Sequence, residues 1–424
     1  MRENGKTDCD LLIVGAGPAG MCASVFAARA GASVILAEGN GRDRPGKKLS
    51  ITGKGRCNIT NECDRDVFLS SVSRNPRFLY SAFAAFPPSE VMDFFENAGL
   101  PLKTERGRRV FPQSDRAQDV VAALVREMDA AGVVRIGGKV SSIAQTGDGF
   151  EAEFSSRQKP LTAKKVILAT GGKSYQLTGS DGSGYRIAED LGHRIIEPKP
   201  SLVPVICKGP LCRSMMGLSL RNVTLSVFDP SGRRVFEDFG EMLFTHFGIS
   251  GPLTLSASCF IHDAEKGGWR ASIDLKPALS ESVLDARILS DFSGELNRDF
   301  SNSLSALLPS KMIDPFISLT GIPPSRKVNS ITREERARIV RLMKNFELEI
   351  AGLRPIDEAI VTSGGVDVSE IDPKTMESKL VPGLYFAGEI IDVDAFTGGY
   401  NLQSAWSTGK LAGLSAANAA ARRE

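Results

Sequence analysis

Near the start of the chain three glycines stand where a nucleotide phosphate could be held. The segment Gly15-Ala16-Gly17-Pro18-Ala19-Gly20 has the spacing G-x-G-x-x-G. Each glycine has its own task in such a turn. Gly15 permits a tight reversal, Gly17 lets the backbone approach a pyrophosphate, and Gly20 lets a helix pack closely on the preceding strand. The first N–H groups of that helix face the phosphates with the positive end of the helix dipole. Glu38, twenty-three positions after Gly15, is placed to accept hydrogen bonds from the adenosine ribose hydroxyls. The glycine spacing alone is a weak signal, and its flanks make it specific. Asp10–Val14 is a short apolar run, Met21–Ala30 is rich in small residues, and Ser33–Glu38 is a second apolar run. They predict strand, helix and strand.

Two further glycine-terminated apolar runs point to FAD as the dinucleotide. Val166–Ala169 ends in Thr170-Gly171-Gly172, and Leu384–Ala387 ends in Gly388-Glu389. A long cofactor lying across the carboxyl edge of a sheet would use several such strand ends. Val140, in a predicted strand between them, is expected to meet the adenine through its backbone. No second G-x-G-x-x-G follows, because Gly179-Ser-Asp-Gly182-Ser-Gly184 has the wrong spacing. The expectation is a resident FAD without a dedicated NAD(P) domain, with NAD(P)H as a transient electron donor.

The loop after Glu38 and the end of the chain supply the other candidate contacts. Lys47, Lys48 and Arg56 would neutralise the pyrophosphate. Cys57 would lie beside the flavin, and Asn58 would reach the ribityl chain or the ring. A disulfide reductase would place two cysteines here with four residues between them. Cys57 and Cys63 have five between, so a lone thiol is expected. At the other end Gly398-Gly399-Tyr400-Asn401-Leu402 opens a helix whose dipole could stabilise negative charge on a reduced flavin. His246 and Tyr175 are the candidate proton donors or acceptors. Histidine is scarce, with three in the chain, and Tyr175 follows the second glycine strand end.

Composition narrows the class. Lysine and arginine number 52 against 50 acidic residues, a net charge of +2, so no global field argues for nucleic acid or an anionic membrane as the partner. The local strip Arg106, Arg108 and Arg109 reads as a solvated loop or, functionally, as an edge that steers anions. Seven scattered cysteines form no disulfide framework, which suits a reducing cytoplasm. With no C-x-x-C and so few histidines, no metal site is expected. No run is long and apolar enough for a membrane span. A small-molecule substrate is expected, without nucleic acid, and the oligomeric state is left open.

The texture of the chain divides it. Glycine-rich α/β character over 1–192 returns over 351–424, predicting a discontinuous FAD-binding domain. Residues 193–280 are β-rich and 281–350 are helical and charged, predicting an inserted β-rich domain and a helical subdomain. Val133–Ile143 and Gly149–Phe154 predict a small antiparallel sheet.

Several motifs together resemble the BaiN-like, YhiN-like NAD(P)/FAD-dependent oxidoreductases, also called the aminoacetone oxidase family. They include Gly53-Lys-Gly-Arg-Cys-Asn-Ile-Thr-Asn61, Arg109-Val-Phe-Pro-Gln-Ser-Asp-Arg116 and Thr397-Gly-Gly-Tyr-Asn-Leu-Gln403. Ala169-Thr-Gly-Gly-Lys-Ser-Tyr175, Leu243-Phe-Thr-His-Phe-Gly-Ile-Ser-Gly-Pro252 and Gly388-Glu-Ile-Ile-Asp-Val-Asp394 extend the match almost end to end. Lys54 departs from the pattern, where a third glycine is common. The resemblance implies an α/β fold with a glutathione-reductase-type, Rossmann-like FAD domain carrying the insertion. It implies an FAD-dependent oxidoreductase of a small organic molecule, by NAD(P)H-driven reduction of a conjugated double bond. Oxygen-dependent oxidation of a small amine or aminoketone is the alternative, and a non-catalytic flavin sensor or scaffold is a third. A flavin-dependent RNA-modifying enzyme shares the FAD domain, and the near-zero net charge gives it no support.

Overall fold

The computed structural model describes residues 7–147, 149–155 and 159–422. Two compact units divide the chain, the first comprising 1–201 and 356–424 and the second 202–355.

The first unit is organised by one mixed sheet. Its strands run in the order Val134–Gly137, Val34–Glu38, Cys9–Val14, Leu161–Leu168, Gly149–Phe154, Val140–Thr146. Leu161–Leu168 is the pivot. Its first residues pair antiparallel with Gly149–Phe154, and Val166–Leu168 pair parallel with Leu384–Phe386. The continuous apolar runs of the sequence occupy the doubly covered centre. Leu11, Leu12 and Ile13, and Val166, Ile167 and Leu168, have no exposed surface.

The predicted separate antiparallel sheet is instead split. Val134–Gly137 joins the parallel edge beside Val34–Glu38, and only the two strands after it are antiparallel. Gly138, at φ +148°, breaks the run between them, so one apolar stretch serves two strand directions.

The first helix, Pro18–Arg29, is buried on nearly all sides because it lies between the sheet and the C-terminal helix, Tyr400–Ala421. Glycine sets how close the two helices come. A Cβ on Gly409 would lie 2.5 Å from the Ala19 carbonyl oxygen, and one on Gly413 would lie 2.4 Å from that of Ala23. Ile195–Ser201 pairs antiparallel with Val361–Val366, joining the chain segments that flank the insertion.

His193 fixes a loop under this sheet. Its buried ring meets Glu370 at 3.1 Å through Nδ1 and the Ser378 hydroxyl at 2.8 Å through Nε2, and packs edge-on against Phe386. The Glu370 carboxylate can only accept, so Nδ1 carries the proton and Nε2 accepts from Ser378. Burial holds the imidazole below its ordinary pKa, although Glu370 pulls the other way.

The second unit is a closed six-stranded barrel in the order Val205–Cys207, Gly248–Ser250, Arg234–Phe244, Ser219–Phe228, Arg270–Asp274, Phe346–Leu353. The helices Glu281–Ser293, Ser310–Thr320 and Arg333–Lys344 share one core with it. Leu284, Phe316 and Met343 cluster with Leu225, Ile273 and Phe346. The predicted helical segment thus packs within the same unit as the β part. Thr332 and Glu335 form a reciprocal capping box at the start of the last helix. Among the described residues no helix is long and apolar enough to cross a membrane.

Two outcomes test these packing arguments. Gly409→Ala forces backbone apart and should cost about 1–3 kcal/mol in denaturant unfolding. Gly352→Ala, where a Cβ meets open space, should stay within about 0.5 kcal/mol of the parent. The unfolded chain binds the His193 proton more readily than the folded one. Stability is therefore fully present above about pH 6.5 and falls as pH drops below it. His193→Gln should flatten that slope in pH-dependent thermal melts.

Candidate functional site

The site is built from four neighbouring strand ends. Gly15 N–H donates to Ala37 O at 2.9 Å, Ala169 N–H to Val14 O at 2.9 Å, and Ala387 N–H to Leu168 O at 3.0 Å. These bonds place Gly15, Thr170 and Gly388 at the same carboxyl edge, where open α/β sheets bind ligands.

The glycine turn divides its labour as the sequence suggests. Gly15, at φ +102°, occupies the left-handed region, and a Cβ there would sit 2.5 Å from Ala169 O. A Cβ on Gly20 would sit 1.9 Å from Gly15 O. Both positions are closed by protein backbone. A Cβ on Gly17 would meet nothing within 4 Å. Gly17 also caps the first helix without a side-chain bond, so no side chain of the cap satisfies the helix's leading N–H groups. Ala19 is the second residue of the helix, and its Cβ would lie 2.7 Å from a Cβ on Gly388, which has φ +77°.

Glu38 is already oriented. Its Oε2 accepts from Ala16 N–H at 3.0 Å, and its Oε1 accepts from the backbone and side-chain amides of Asn40 at 2.8 and 2.9 Å. Asn40 also donates to Thr178 O, so it positions the acidic residue, a role the sequence reading missed. Gly138 N–H donates to Glu38 O at 3.0 Å, which brings Val140 two residues from the same end of the site.

The basic loop behaves differently from its charge. Lys48 is paired with Glu389 at 2.7 Å and donates to Ser174 Oγ at 2.9 Å. Glu389 also accepts from Thr362 N–H at 2.8 Å. The pair ties the loop to the Gly388 strand end and leaves little free charge for a pyrophosphate. Arg56 is held between Glu105 and Asp115, with its guanidinium 4.2 Å from the Phe111 ring centre. Lys47 is exposed and donates to Leu177 O. Cys57 is fully buried with φ +59°, and burial pushes its thiol up to about 12, so it stays protonated.

Two buried polar atoms lack a protein partner at this edge, Asn58 Oδ1 and Thr170 Oγ1. Burying such a group unpaired costs on the order of 1–3 kcal/mol. A polar ligand carrying hydroxyl and imide donors, as FAD does, fits both atoms. The open face of Gly17 and the preset Glu38 fit the pyrophosphate and ribose. The residues present therefore suit the cofactor.

The start of the C-terminal helix closes the other end. A Cβ on Gly399 would lie 2.5 Å from Thr60 C and O. Thr60 Oγ1 donates to Gln403 Oε1 at 2.5 Å, and Trp406 Nε1 donates to Ile59 O at 2.9 Å. Asn401 has its amide paired with both backbone groups of Ala395, at 2.9 and 2.7 Å. Its side chain therefore shapes the helix entry, while half-buried Tyr400 and Leu402 flank it.

Tyr175, the candidate proton donor of the first unit, is 37% exposed and strained at φ +53°. It follows Gly171 and Gly172 and neighbours Ser174 of the Lys48–Glu389 network. His246 is an exposed residue of the second unit, in the turn closed by Thr245 N–H to Gly248 O, with its ring edge-on to Phe247. The four-residue cysteine spacing sought near Cys57 occurs in the second unit, at Cys207 and Cys212. Their buried side chains are hydrogen-bonded to each other, and that bond together with burial raises the Cys207 thiol.

A family model described as "HI0933-like protein Rossmann domain" matches residues 9–415. The chain is 33% identical to "Ribosomal RNA dihydrouridine synthase" of Escherichia coli (strain K12), over 94% of this chain and 96% of that protein. It is 32% identical to "3-dehydro-bile acid delta(4,6)-reductase" of Clostridium scindens, over 96% of this chain and 98% of that protein. Among solved structures, E. coli quinol fumarate reductase FrdA superposes with a TM-score of 0.52 at 18% identity. That alignment covers 97% of this chain and 70% of the other, and shows likeness of fold.

The glycine geometry yields a paired prediction. Gly17→Ala, at an ordinary φ of −78° and with free space for the methyl, should unfold within about 0.5 kcal/mol of the parent without flavin, yet retain at least about tenfold less FAD. Gly20→Ala should lower the stability of the flavin-free chain itself. Absorbance of retained flavin and thermal unfolding separate the two.

Proposed function

The chain belongs to the HI0933-like Rossmann family and is an FAD-dependent oxidoreductase, and on that premise we propose that it reduces a ring carbon–carbon double bond conjugated to a carbonyl, with uracil in ribosomal RNA as the substrate. The observation that carries the reading is the end-to-end similarity to a relative named for making dihydrouridine. Dihydrouridine is uridine with the C5–C6 double bond saturated, and that bond is conjugated to the C4 carbonyl. The bile-acid relative is named for the same class of bond in a steroid. A small-molecule enone is therefore the second reading.

The balanced reaction consumes one reduced nicotinamide and one proton. A hydride equivalent adds to the carbon β to the carbonyl and a proton to the α carbon, leaving the oxidised nicotinamide and a saturated bond. Bound FAD supplies the two-electron transfer. The chain supplies the rest. Gly15–Gly20 and Glu38 would hold the pyrophosphate and ribose ends, and Asn58 and Thr170 would offer acceptors to the cofactor. The Gly398–Tyr400 turn would face the ring, where the helix start would favour negative charge. Tyr175 and His246 are the candidate donors of the α proton.

The test uses the flavin-loaded protein without oxygen. NADPH or NADH should bleach the flavin, and unmodified ribosomal RNA transcribed in vitro should restore its colour while gaining two mass units at a uridine. Restoration by a steroid dienone alone would establish the second reading. Failure of both acceptors with a reducible flavin would overturn the proposal. Tyr175→Phe should lower turnover at least about tenfold if it donates the proton, with flavin bleaching unchanged.

A further inference from the structure

Resting on the ribosomal RNA reading, we propose that the turn Arg106-Gly107-Arg108-Arg109 is the phosphate clamp that holds RNA against the flavin end of the site. The turn joins the strands Leu102–Glu105 and Arg109–Pro112, which pair antiparallel. All three arginines are exposed. Among the described residues none of them joins an ion pair, although their neighbours do: Arg56 and Lys103 take up Glu105 and Asp115. Like charges within four residues repel one another and attract counterions. Arg109 also lies 5.9 Å from the Phe111 ring centre, a contact that leaves its charge in place. With no carboxylate paired to the three, an anion from outside with several charges is their complement.

The turn is also fixed in place. Gly107 and Arg108 both adopt left-handed backbone, at φ +77° and +57°. Glu62 N–H donates to Arg108 O at 2.8 Å, and Arg109 Nε donates to Arg106 O at 3.1 Å. Asn61 then links the turn to the site. Its Nδ2 donates to Gly107 O at 3.0 Å and to Gly398 O at 3.1 Å. One amide thus spans from the arginine turn to the glycines that open the C-terminal helix. A clamp ordered before binding loses little entropy on engagement.

The charge count selects the partner. A steroid acid brings one carboxylate, which one arginine satisfies. Three guanidinium groups on a short turn match successive phosphodiesters, while the flipped base would reach the helix start. An acidic cavity of about 350 Å³, lined by Glu62, Asp64, Asp93 and Glu96 among others, adjoins the turn through Glu62 and limits where a polyanion can lie.

The experiment measures binding of in vitro transcribed ribosomal RNA to the flavin-loaded full chain across a salt series. Arg106→Gln, Arg108→Gln and Arg109→Gln combined should reduce the slope of log affinity against log salt by about 2, and weaken binding at least about tenfold at 0.1 M salt. FAD content and the rate of bleaching by NADPH should be unchanged. A control with Arg186→Gln, Arg333→Gln and Arg341→Gln removes the same charge and should keep the parent slope. If the clamp variant keeps parent affinity and slope, or if the control falls equally, the clamp is wrong while the RNA reading stands. If the parent protein binds no RNA, both fall together.

Discussion

Gly20 stands with its Cα against the carbonyl of Gly15, and a single methylene there would overlap that oxygen at 1.9 Å. The first helix can approach its own strand only because this side chain is missing. Everything at the carboxyl edge follows from that approach. It brings Ala19 against Gly388, lets Gly409 and Gly413 seat the C-terminal helix on the first helix, and leaves Gly17 as the one glycine of the turn facing open space. Backbone carbonyls, rather than mobile side-chain ends, define the closed contacts, so the site is rigid where strand ends meet.

Charge at the site is mostly committed to the protein itself. Lys48 and Glu389 fasten the loop to a strand end, and Arg56 is shared between two carboxylates. A pyrophosphate would be met chiefly by backbone N–H groups and a helix start, which are fixed dipoles that need no rearrangement. The buried thiol of Cys57 stays protonated for a related reason: its surroundings offer no cation to stabilise a thiolate, and burial raises its pKa. Exposed arginines without an ion-pair partner stand on the turn that Asn61 links to the helix start. Ion pairing inside the site and unpaired arginines at its rim are two sides of the same arrangement.

The near-zero net charge, from which no nucleic-acid partner was expected, and the proposed RNA clamp refer to different scales. Net charge averages over the whole chain, while phosphate is met locally. Of the fifty-two basic residues, many are cancelled by nearby carboxylates, and the clustering of three that are not is a property of the surface. The small-molecule and RNA readings share one bond chemistry, so the flavin end of the site need not differ between them. In the clamp proposal the rim decides what can be presented to it.

Periodicity and glycine spacing determined the fold class, the first strand–helix–strand unit and the three glycine strand ends, because each is a local rule about backbone access. The glycine strand ends and the family motifs together carried the FAD assignment. Which polar side chains pair was decided only in three dimensions. Asn40 orienting Glu38, Lys48 spent on Glu389 across 341 positions, Asn401 pairing with Ala395, and Asn61 joining Gly107 to Gly398 are hydrogen bonds between residues whose types fit many partners. The split of Val134–Thr146 between two strand directions was likewise invisible, since an apolar run states burial and not which neighbour it pairs with. Sequence sets what each backbone segment can do, while the tertiary structure chooses which polar side chains remain free to act on a ligand.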